Sequence, residues 1–507
     1  MLACKKRVNL SAPMSVVVSR DGGTCHMAFA AHALLGAVVH PRQREAPMTA
    51  TSTTPLGLLY GLEDKPDVPT SLLAASQHIL ASIVGIITPT LIIGGVLGLG
   101  EHVPYLISMS LFVSGVATFI QTRRIGPVGS GLLSLQGTSF AFLGTILATG
   151  LAVKGAGGTP EEMLAMIFGI CLAGCLVEVV LSQFIDKLRK VITPVVTGIV
   201  ITVIGLSLVK VGFTDLAGGA AAKPPAFGDL VNLLLGALVI AVILACSFAR
   251  SPTVRIGAVL IGLVAGVVVA AVMGRVDVSA FGGAPLFAVP MPFRYGLDFD
   301  FGLFLPMAFL YLITAIETTG DLTANSVISN QPVSGDTYIA RIKGGVLGDG
   351  INSGLAAIFN TFPNTTFSQN NGVIQMTGVA SRHVGLFVAG LLVLLGLFPI
   401  VGSLFLLIPK PVLGGATLVL FGSIAVAGIR ILSSVPITRK SIYVMAVSFG
   451  LGLGVSLVPD ALGQLPALAK SVLNAPITIS GLAAILLTAI LPDGDPAPVI
   501  VAEAAES

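Results

Sequence analysis

Long apolar runs recur along most of the chain, and very few ionisable residues interrupt them. From residue 72 onward the runs divide into fourteen segments, and all but one approach the roughly 20 residues that a helix needs to cross a bilayer. The predicted spans are 72–98, 102–122, 130–153, 161–184, 191–212, 229–249, 254–274, 303–328, 338–359, 365–378, 384–408, 412–429, 441–458 and 471–491. This pattern predicts an all-α polytopic membrane protein with 14 transmembrane segments.

The composition excludes most other classes of protein. Of 507 residues, 54% are hydrophobic, and only 27 are Lys or Arg and 24 Asp or Glu, 51 in total. A soluble chain with about 25% charged residues would carry far more, so a soluble enzyme, a nucleic-acid-binding protein and a secreted disulfide scaffold are excluded. The five cysteines form no CxxC or Cys/His ligand pattern, so no metal site is predicted.

Basic residues between the spans predict the orientation in the membrane, because cytoplasmic loops are enriched in Lys and Arg. With the N-terminus in the cytoplasm, thirteen basic residues fall on the inside and seven on the other face. The inside residues are Arg123, Arg124, Lys187, Arg189, Lys190, Arg250, Arg255, Arg341, Lys343, Arg382, Arg430, Arg439 and Lys440. The other face receives Lys154, Lys210, Lys223, Arg275, Arg294, Lys410 and Lys470.

Both ends of the chain are predicted to be polar cytoplasmic segments, residues 1–70 and 492–507. The apolar stretch from Met27 to Val39 is too short to cross a bilayer and has no convincing cleavage motif after it. Met48 opens an ordinary polar segment, so we expect it to be the initiator and residues 1–47 not to be translated.

The fourteen spans divide into seven plus seven around the polar connection 275–302. Because seven is odd, a second half with the same fold would be inverted relative to the first, giving a 7+7 inverted repeat. The spacing supports this: Ser139 lies 67 residues after Leu72, and Gln369 lies 66 residues after Leu303. Both positions fall in segments rich in Gly, Ser, Thr, Asn and Gln, 129–142 and 364–378.

These two polar segments are predicted to interrupt helical structure inside the membrane. Backbone that leaves helical geometry there must be buried in protein or line a cavity, and paired interruptions point to a transporter's substrate site. We predict short extended strands in segments 3 and 10, each leading into a half-helix whose N-terminus faces a central pocket. Small-residue helix packing is the alternative, but it does not account for the four amide side chains between 369 and 375.

Five ionisable residues lie within predicted spans, where each costs about 2.5–3.5 kcal/mol unless it is paired or hydrated. They are His78, Glu178, Glu317, Asp321 and Asp349. Glu317 and Asp321 are four residues apart and share one helix face, where a carboxyl group can load and release a proton. Asp349 stands between two glycines that would allow a neighbouring helix to approach closely.

The remaining two ionisable residues, His78 and Glu178, have two interpretations each. His78 is either a proton partner or a hydrogen-bonded link between helices. Glu178 lies towards the cytoplasmic end of its span, so we expect an interfacial ion pair with Lys187 rather than a role in a site.

The segment Phe367-Ser-Gln-Asn-Asn-Gly-Val-Ile-Gln-Met-Thr-Gly378 resembles the signature of the nucleobase/ascorbate transporter family, Gln/Glu/Pro-Asn-x-Gly-x-x-x-x-Thr-Arg/Lys/Gly. Four further motifs are similar to those of the family and come in the same order: Ser76-Gln-His78, Gln136-Gly-Thr-Ser-Phe140, Ala315-Ile-Glu-Thr-Thr-Gly-Asp321 and Gly348-Asp-Gly350. The resemblance runs from about residue 70 to 491. Within the family, Gln at 369 resembles permeases for xanthine and uric acid, whereas uracil permeases usually have Glu there.

The resemblance implies a core domain built from residues 71–184 and 301–408 and a gate domain built from 185–300 and 409–491. It also implies a homodimer in the lipid bilayer of the cytoplasmic membrane, with a purine substrate bound between the two domains. The implied substrate-binding residues are Glu317, Gln369, Ser139, Phe140, Phe367 and Ser368. Glu317 and Gln369 would hydrogen-bond the edge of the purine, and the two phenylalanines would flank its ring. The backbone groups of Ser139, Phe140 and Ser368 would supply further contacts.

The implied supporting residues are His78, Asp321, Asp349 and Asn370, which would contribute to affinity, conformational coupling or proton transfer. We expect a secondary active transporter rather than an enzyme, with uptake by proton-coupled symport and alternating access. Glu317 is the expected coupling residue, because it is both titratable and in the pocket. The proton is the only coupling partner predicted, with no cofactor and no metal, and sodium coupling stays open.

The small side chain of Ser139 leaves room for the extra oxo group of uric acid, so xanthine and uric acid are both candidate substrates. Four alternatives stay open. The first is a uracil or other nucleobase permease of the same family, and the second is an anion exchanger or sulfate permease of the same architecture. A passive channel and, with least support, a membrane-embedded enzyme complete the set.

Overall fold

The polypeptide is almost entirely helical over residues 58–185, 193–219, 222–276 and 287–492, which the computed structural model describes. These residues belong to one of two units into which the chain divides, Pro55–Ser507. The predictions for residues 1–47, for Met48 as initiator, for Lys187 and for the tail beyond residue 492 lie outside the described residues.

The first half of the described chain contains eight helices and one strand. They are α1 (Val68–Leu97), α2 (Val103–Arg123), β1 (Gln136–Thr138), α3 (Leu143–Gly155), α4 (Pro160–Gln183), α5 (Pro194–Leu216), α6 (Leu230–Ser247), α7 (Pro252–Ile256) and α8 (Ala258–Val272). A short 3-10 turn, Phe140–Phe142, leads directly into α3.

The second half contains nine helices and one strand. They are α9 (Phe301–Ile328), α10 (Gly335–Ile358), β2 (Asn364–Thr366), α11 (Ser368–Thr377), α12 (Arg382–Gly396), α13 (Pro399–Leu406), α14 (Lys410–Ser433), α15 (Arg439–Leu457), α16 (Ala467–Leu473) and α17 (Pro476–Ile490).

Eight of the described helices are long and apolar enough to cross a membrane, or nine if the bent pair α12 and α13 forms one span. Three shorter apolar helices, α3 with its preceding turn, α8 and α17, also coincide with predicted spans. Helices α10 and α11 coincide with two further predicted spans, but neither is both long and apolar enough to cross a membrane. Helix α10 carries four charged residues, Asp336, Arg341, Lys343 and Asp349, and α11 has only 10 residues. The described helices therefore indicate a multi-pass membrane protein, while the count of 14 stays a prediction.

The predicted span over 384–408 is bent and consists of two helices, α12 and α13. Helices α12 and α13 meet at an angle of 76°. Phe398 is extended, with φ −113° and ψ 93°, because the ring of the following Pro399 excludes the helical region for the residue before it. The predicted spans 254–274 and 471–491 are also each divided into two helices. In the span 471–491 the break comes just before Pro476.

The predicted extended strands in segments 3 and 10 are confirmed. Strands β1 and β2 pair antiparallel, with Gln136 opposite Thr366 and Thr138 opposite Asn364. No water is available at membrane depth to hydrogen-bond the backbone, so backbone N–H and C=O groups of the two strands bond to each other. The strands thus bring the starts of α3 and α11, which are far apart in the sequence, to the same place.

The helices pack in pairs, most of which join distant parts of the chain. Helix α2 packs against α12 and α4 against α10, while α14 packs against α5 and α6 and α15 packs against α17. The crossing of α5 and α14 is close enough that a Cβ atom at Gly205 would clash with the backbone of Ala425. Such close crossings are typical of small residues in membrane helices.

Candidate binding site

A cavity of about 700 Å³ lies among residues from both halves of the chain. On one side it is lined by α9, by the start of α11 and by the turn from Ser139 to Ala141, and on the other side by α5 and α14. All six predicted substrate-binding residues line it: Glu317, Gln369, Ser139, Phe140, Phe367 and Ser368. The structure therefore brings together side chains that are up to 230 positions apart, between residues 139 and 369.

One face of α9 lines the cavity through Glu317, Gly320, Asp321 and Ala324. Their spacing of three and four residues is that of one helix face, as the sequence predicted for the two carboxyl groups. Gly320 lacks a side chain between them, and no atom lies within 4 Å of where its Cβ would be. Both carboxyl-bearing residues consequently border open space.

The two carboxyl groups have different surroundings. Asp321 accepts a 2.6 Å hydrogen bond from Ser368 Oγ and a 3.1 Å bond from Thr366 Oγ1. Glu317 Oε2 is buried and has no hydrogen-bond partner among the described residues. Hydrogen bonds to a carboxylate favour its charged form, and burial without them disfavours it. The pair therefore combines a carboxylate fixed by donors with a carboxyl group suited to carrying a proton.

Helix N-termini are the second feature of the cavity. Ser368 is the first residue of α11 and follows β2 after a single extended residue, Phe367. On the other strand, Ser139 is extended and caps the turn into α3, its Oγ accepting a bond from Ala141 N at 3.3 Å. The first N–H groups of a helix have no partner within the helix, so both termini offer donors and positive dipole ends to a ligand.

The two predicted aromatic residues differ in exposure. Phe140 is half-buried, lines the cavity and packs edge-on against Phe421 of α14, with ring centroids 5.8 Å apart. Phe367 is only 6% exposed, and its ring packs against Gly85 and Gly137. In this conformation Phe140 therefore offers more ring surface to the cavity than Phe367 does.

Asp349 lies behind the cavity and does not line it. It is fully buried and accepts hydrogen bonds from Gln121 Nε2 at 2.7 Å, from Thr318 Oγ1, and from Thr365 Oγ1 at 3.4 Å. Thr318 follows Glu317 in the sequence, and Thr365 belongs to β2. Asp349 thus connects α2, α9 and β2 immediately beneath the site.

The glycines on either side of Asp349 allow close packing, as the sequence predicted. A Cβ atom at Gly348 would lie 2.9 Å from Gln121 Nε2, and one at Gly350 would lie 3.0 Å from the backbone nitrogen of Val179. Helix α10 is therefore in near contact with α2 on one side and with α4 on the other.

His78 and Asn370 are also behind the cavity rather than in its lining. His78 is fully buried on α1 and lies beside Asn370. Asn370 Nδ2 donates a 2.7 Å bond to the carbonyl of Leu133, in the segment that precedes β1. Asn325 of α9 donates to the same carbonyl at 2.8 Å. These amides fix the second half-helix and α9 to the first strand segment.

Glu178 is buried within the protein, while its expected ion pair with Lys187 lies outside the described residues. Its side chain is 1% exposed and belongs to the buried face of α4. The groups that interact with it electrostatically are Asp349 and Glu317. The position of Glu178 near the end of its span does not predict this burial, because tertiary packing decides which face of α4 contacts α9 and α10.

Sequence reasoning also missed the side of the cavity formed by α5 and α14. Thr197, Ser423, Arg430 and Ser434 contribute polar groups there. Arg430 was expected in a loop after a span ending at 429, but α14 continues to Ser433 and carries Arg430 to the exposed end of the cavity. In the sequence, the available sign of this longer helix was a single basic residue directly after an apolar run.

The cavity is suited to holding a flat polar molecule. It combines an aromatic surface, two carboxyl groups, the amide of Gln369 and donors from two helix starts within walls that are mostly apolar. No group of three or more His, Cys, Asp or Glu side chains that could hold a metal ion occurs in the described part of the chain.

Solved structures with a similar fold are membrane transporters. The transmembrane domain of the cyanobacterial bicarbonate transporter BicA matches with a TM-score of 0.52 and 16% identity, over 79% of this chain and 97% of that one. The overall structure of SLC26A9 matches with a TM-score of 0.52 and 11% identity, over 83% of this chain and 66% of that one. At these identities the likeness shows the fold alone.

Sequence relatives match over most of their length. The xanthine permease XanP of Escherichia coli K12 is 47% identical over 441 residues, covering 86% of this chain and 95% of the relative. The xanthine permease XanQ of the same strain is 44% identical over 439 residues, covering 86% and 94%. A purine permease of Emericella nidulans is 34% identical over 485 residues, covering 86% and 83%. These relatives are permeases and not enzymes.

The family model Xan_ur_permease, described as "Permease family", matches residues 69–461. This range includes every motif on which the resemblance was based and every residue that lines the cavity. The chain therefore belongs to this permease family, the nucleobase/ascorbate transporters.

Proposed function

We propose that the protein takes up purines, xanthine and uric acid in particular, across the cytoplasmic membrane by proton-coupled symport. The observation that carries the proposal is that Glu317 and Gln369 line one cavity together with Phe140. A carboxyl group and an amide can read the donor and acceptor rim of an oxidised purine, and an aromatic ring can cover its face. The xanthine permeases among its relatives support the same substrate class.

Proton coupling is supported by the difference between the two cavity carboxyl groups. Asp321 is held by two hydroxyl donors, whereas Glu317 Oε2 is buried without a partner among the described residues. Glu317 would carry the proton that accompanies the substrate and release it with the substrate inside the cell. No cofactor enters this scheme, and the proton is the coupling ion.

Alternating access is proposed as movement of a core domain, 71–184 with 301–408, against a gate domain, 185–300 with 409–491. Helix packing supports this division: α5 and α14 pack together across the cavity from α9 and α11. The antiparallel pair of strands, each followed by a half-helix, supports a 7+7 inverted repeat. The fourteen spans would comprise the eight long helices, the bent pair, three shorter apolar helices, α10 and α11.

The N-terminus is proposed to be cytoplasmic, which makes the end of the cavity at Arg430 and Ser434 the cytoplasmic end. A homodimer is proposed on the resemblance alone. Uric acid is included because Ser139 is small, and a uracil preference is the alternative within the family. Anion exchange is the alternative by fold, since the similar solved structures include a bicarbonate transporter.

Uptake of a substrate panel by cells or proteoliposomes tests this function. Labelled xanthine, urate, guanine, hypoxanthine and uracil are compared with and without a protonophore. We expect xanthine to accumulate above its external concentration, the protonophore to abolish the accumulation, and excess urate to compete. Xanthine that equilibrates without accumulating would indicate a channel, and bicarbonate or sulfate exchange without purine uptake would indicate an anion exchanger.

A further inference from the structure

Phe140 borders the cavity with only part of its side chain buried. It lies in the 3-10 turn between β1 and α3, and its ring forms part of the cavity wall. A phenylalanine ring can turn about two side-chain bonds, and the open cavity does not restrain it on that side. A flat surface for a ligand therefore exists at Phe140 only where a neighbouring side chain holds the ring.

The ring that contacts Phe140 is that of Phe421 on α14. The two ring centroids are 5.8 Å apart and the ring planes meet at 82°, which is the edge-to-face arrangement that aromatic pairs prefer. No second aromatic ring pairs with Phe140 in the described part of the chain. The orientation of the Phe140 ring therefore depends on Phe421.

Phe421 is fully buried and does not itself line the cavity, whereas Leu420 and Ser423 of the same helix do. Its backbone lies where α14 crosses α5. A Cβ atom at Gly205 of α5 would be only 2.7 Å from the carbonyl oxygen of Phe421. A residue in such a close-packed crossing has little freedom to move. Phe421 is thus a fixed surface against which the Phe140 ring rests.

The contact joins the two sides of the cavity. Phe140 lies on the side formed with α9 and the start of α11, and α14 forms the other side together with α5. In the proposed division of the chain, Phe140 belongs to the core domain and Phe421 to the gate domain. The ring that would cover the purine is therefore supported by the domain that does not carry it.

We propose that Phe421 is a positioning residue, through which α14 holds the Phe140 ring over the face of the bound purine. This inference rests on the purine uptake proposed above. An edge-to-face pair contributes more than the burial of its two rings. Without it, the Phe140 ring is free to turn away, and binding weakens although every group that would hydrogen-bond the purine is still present. A Phe421 that only filled space would affect folding stability and not recognition.

The test is a double-variant cycle on xanthine uptake by the full chain in proteoliposomes. KM and kcat are measured for wild type, Phe421→Leu, Phe140→Leu and the double variant. We expect Phe421→Leu to raise KM about three- to tenfold with kcat nearly unchanged. Because Phe421 acts through Phe140, its replacement should raise KM no further when Phe140 is already Leu. An equal rise in both backgrounds would overturn the inference.

Two further variants separate the ring contact from the filling of space. Phe421→Met places a side chain of nearly the same volume as Leu there, but its sulfur interacts favourably with an aromatic ring, so KM should rise less. Phe168→Leu is the matched control. Phe168 is also fully buried, its ring packs against that of Phe362 with centroids 5.9 Å apart, and neither residue lines the cavity. This control should lower the melting temperature and leave KM unchanged.

The xanthine affinity of the purified variants, measured by calorimetry, should change in the same way without transport. Phe421→Met takes the place of Phe421→Leu in the cycle if the latter does not fold. A rise in KM for Phe168→Leu as large as that for Phe421→Leu would overturn the inference, and so would equal KM values for Phe421→Met and Phe421→Leu. If the wild type took up no xanthine, the proposed function would fail first, and this inference with it. Wild-type xanthine uptake with an unchanged KM in Phe421→Leu overturns this inference alone.

Discussion

Ser368, the first residue of α11, donates a 2.6 Å hydrogen bond to Asp321 of α9. Asn371, on the next turn of the same half-helix, donates to the backbone carbonyl of Asp321 at 3.2 Å. The half-helix that carries Gln369 is therefore attached to the helix that carries Glu317. The distance between the two side chains expected to read the substrate depends on this attachment.

Ser368→Ala should weaken substrate recognition without unfolding the protein. Loss of a hydrogen bond to a carboxylate costs about 1.5 kcal/mol, which corresponds to roughly a tenfold rise in KM for xanthine. Ser423→Ala is the matched control, because Ser423 also lines the cavity but bonds the Val419 carbonyl of its own helix at 2.7 Å. Kinetics of both variants in proteoliposomes check the prediction, and equal effects would contradict it.

Thr318→Val should destabilise the protein more than Thr319→Val does. The Thr318 hydroxyl donates to the buried Asp349, whereas the Thr319 hydroxyl donates to the Ala315 carbonyl one turn earlier in α9. We expect the first variant to lose about 1.5–3 kcal/mol of stability and the second less than about 1 kcal/mol. Thermal unfolding of the purified variants measures the difference. Similar melting temperatures would show that the bond to Asp349 contributes little.

Gly137→Ala should disturb the strand pair beside the cavity. A Cβ atom at Gly137 would lie 2.5 Å from Cζ of the Phe367 ring, so the ring or the strand has to move. Overpacking of this kind costs about 1–3 kcal/mol. Gly144→Ala, where the nearest atom would be 3.8 Å away on Ile477, is the control for the same chemical change. Loss of uptake should be confined to Gly137→Ala, and normal uptake by that variant would argue against a fixed Phe367.

Alternating access predicts that Gly95 of α1 and Lys410 of α14 separate during transport. The Lys410 side chain occupies the position where Gly95 would carry a Cβ atom, and its Nζ lies 3.8 Å from Asp215 of α5. In the proposed division α1 belongs to the core, while α5 and α14 belong to the gate. A short bifunctional thiol reagent applied to Gly95→Cys/Lys410→Cys should therefore stop xanthine uptake.

Each single variant treated with the same reagent is the control for this cross-link, and reduction of a cleavable reagent should restore uptake. A cross-linked double variant that transports at the uncross-linked rate would show that these helices do not move apart.

The parts of the site that a local pattern reveals can be predicted from the sequence. Polar residues at membrane depth predicted both strands, and the motifs around 317 and 369 predicted side chains that line one cavity. Three features could not be predicted, because they depend on how distant segments pack against each other. They are the burial of Glu178, the part of the cavity lined by α5 and α14, and the extension of α14 that includes Arg430. The bend at Phe398 was missed although Pro399 indicates it locally, because the apolar run continues unbroken across the bend.

In the proposed transport cycle, Glu317 is the residue that couples the proton to the purine. Wild type and Glu317→Gln are compared in proteoliposomes with an imposed pH gradient, acidic outside, and with labelled xanthine at equal concentration on both sides. We expect wild type to concentrate xanthine inside and Glu317→Gln to show no accumulation at any external pH. Uphill, pH-dependent accumulation by Glu317→Gln at the wild-type level would contradict the account.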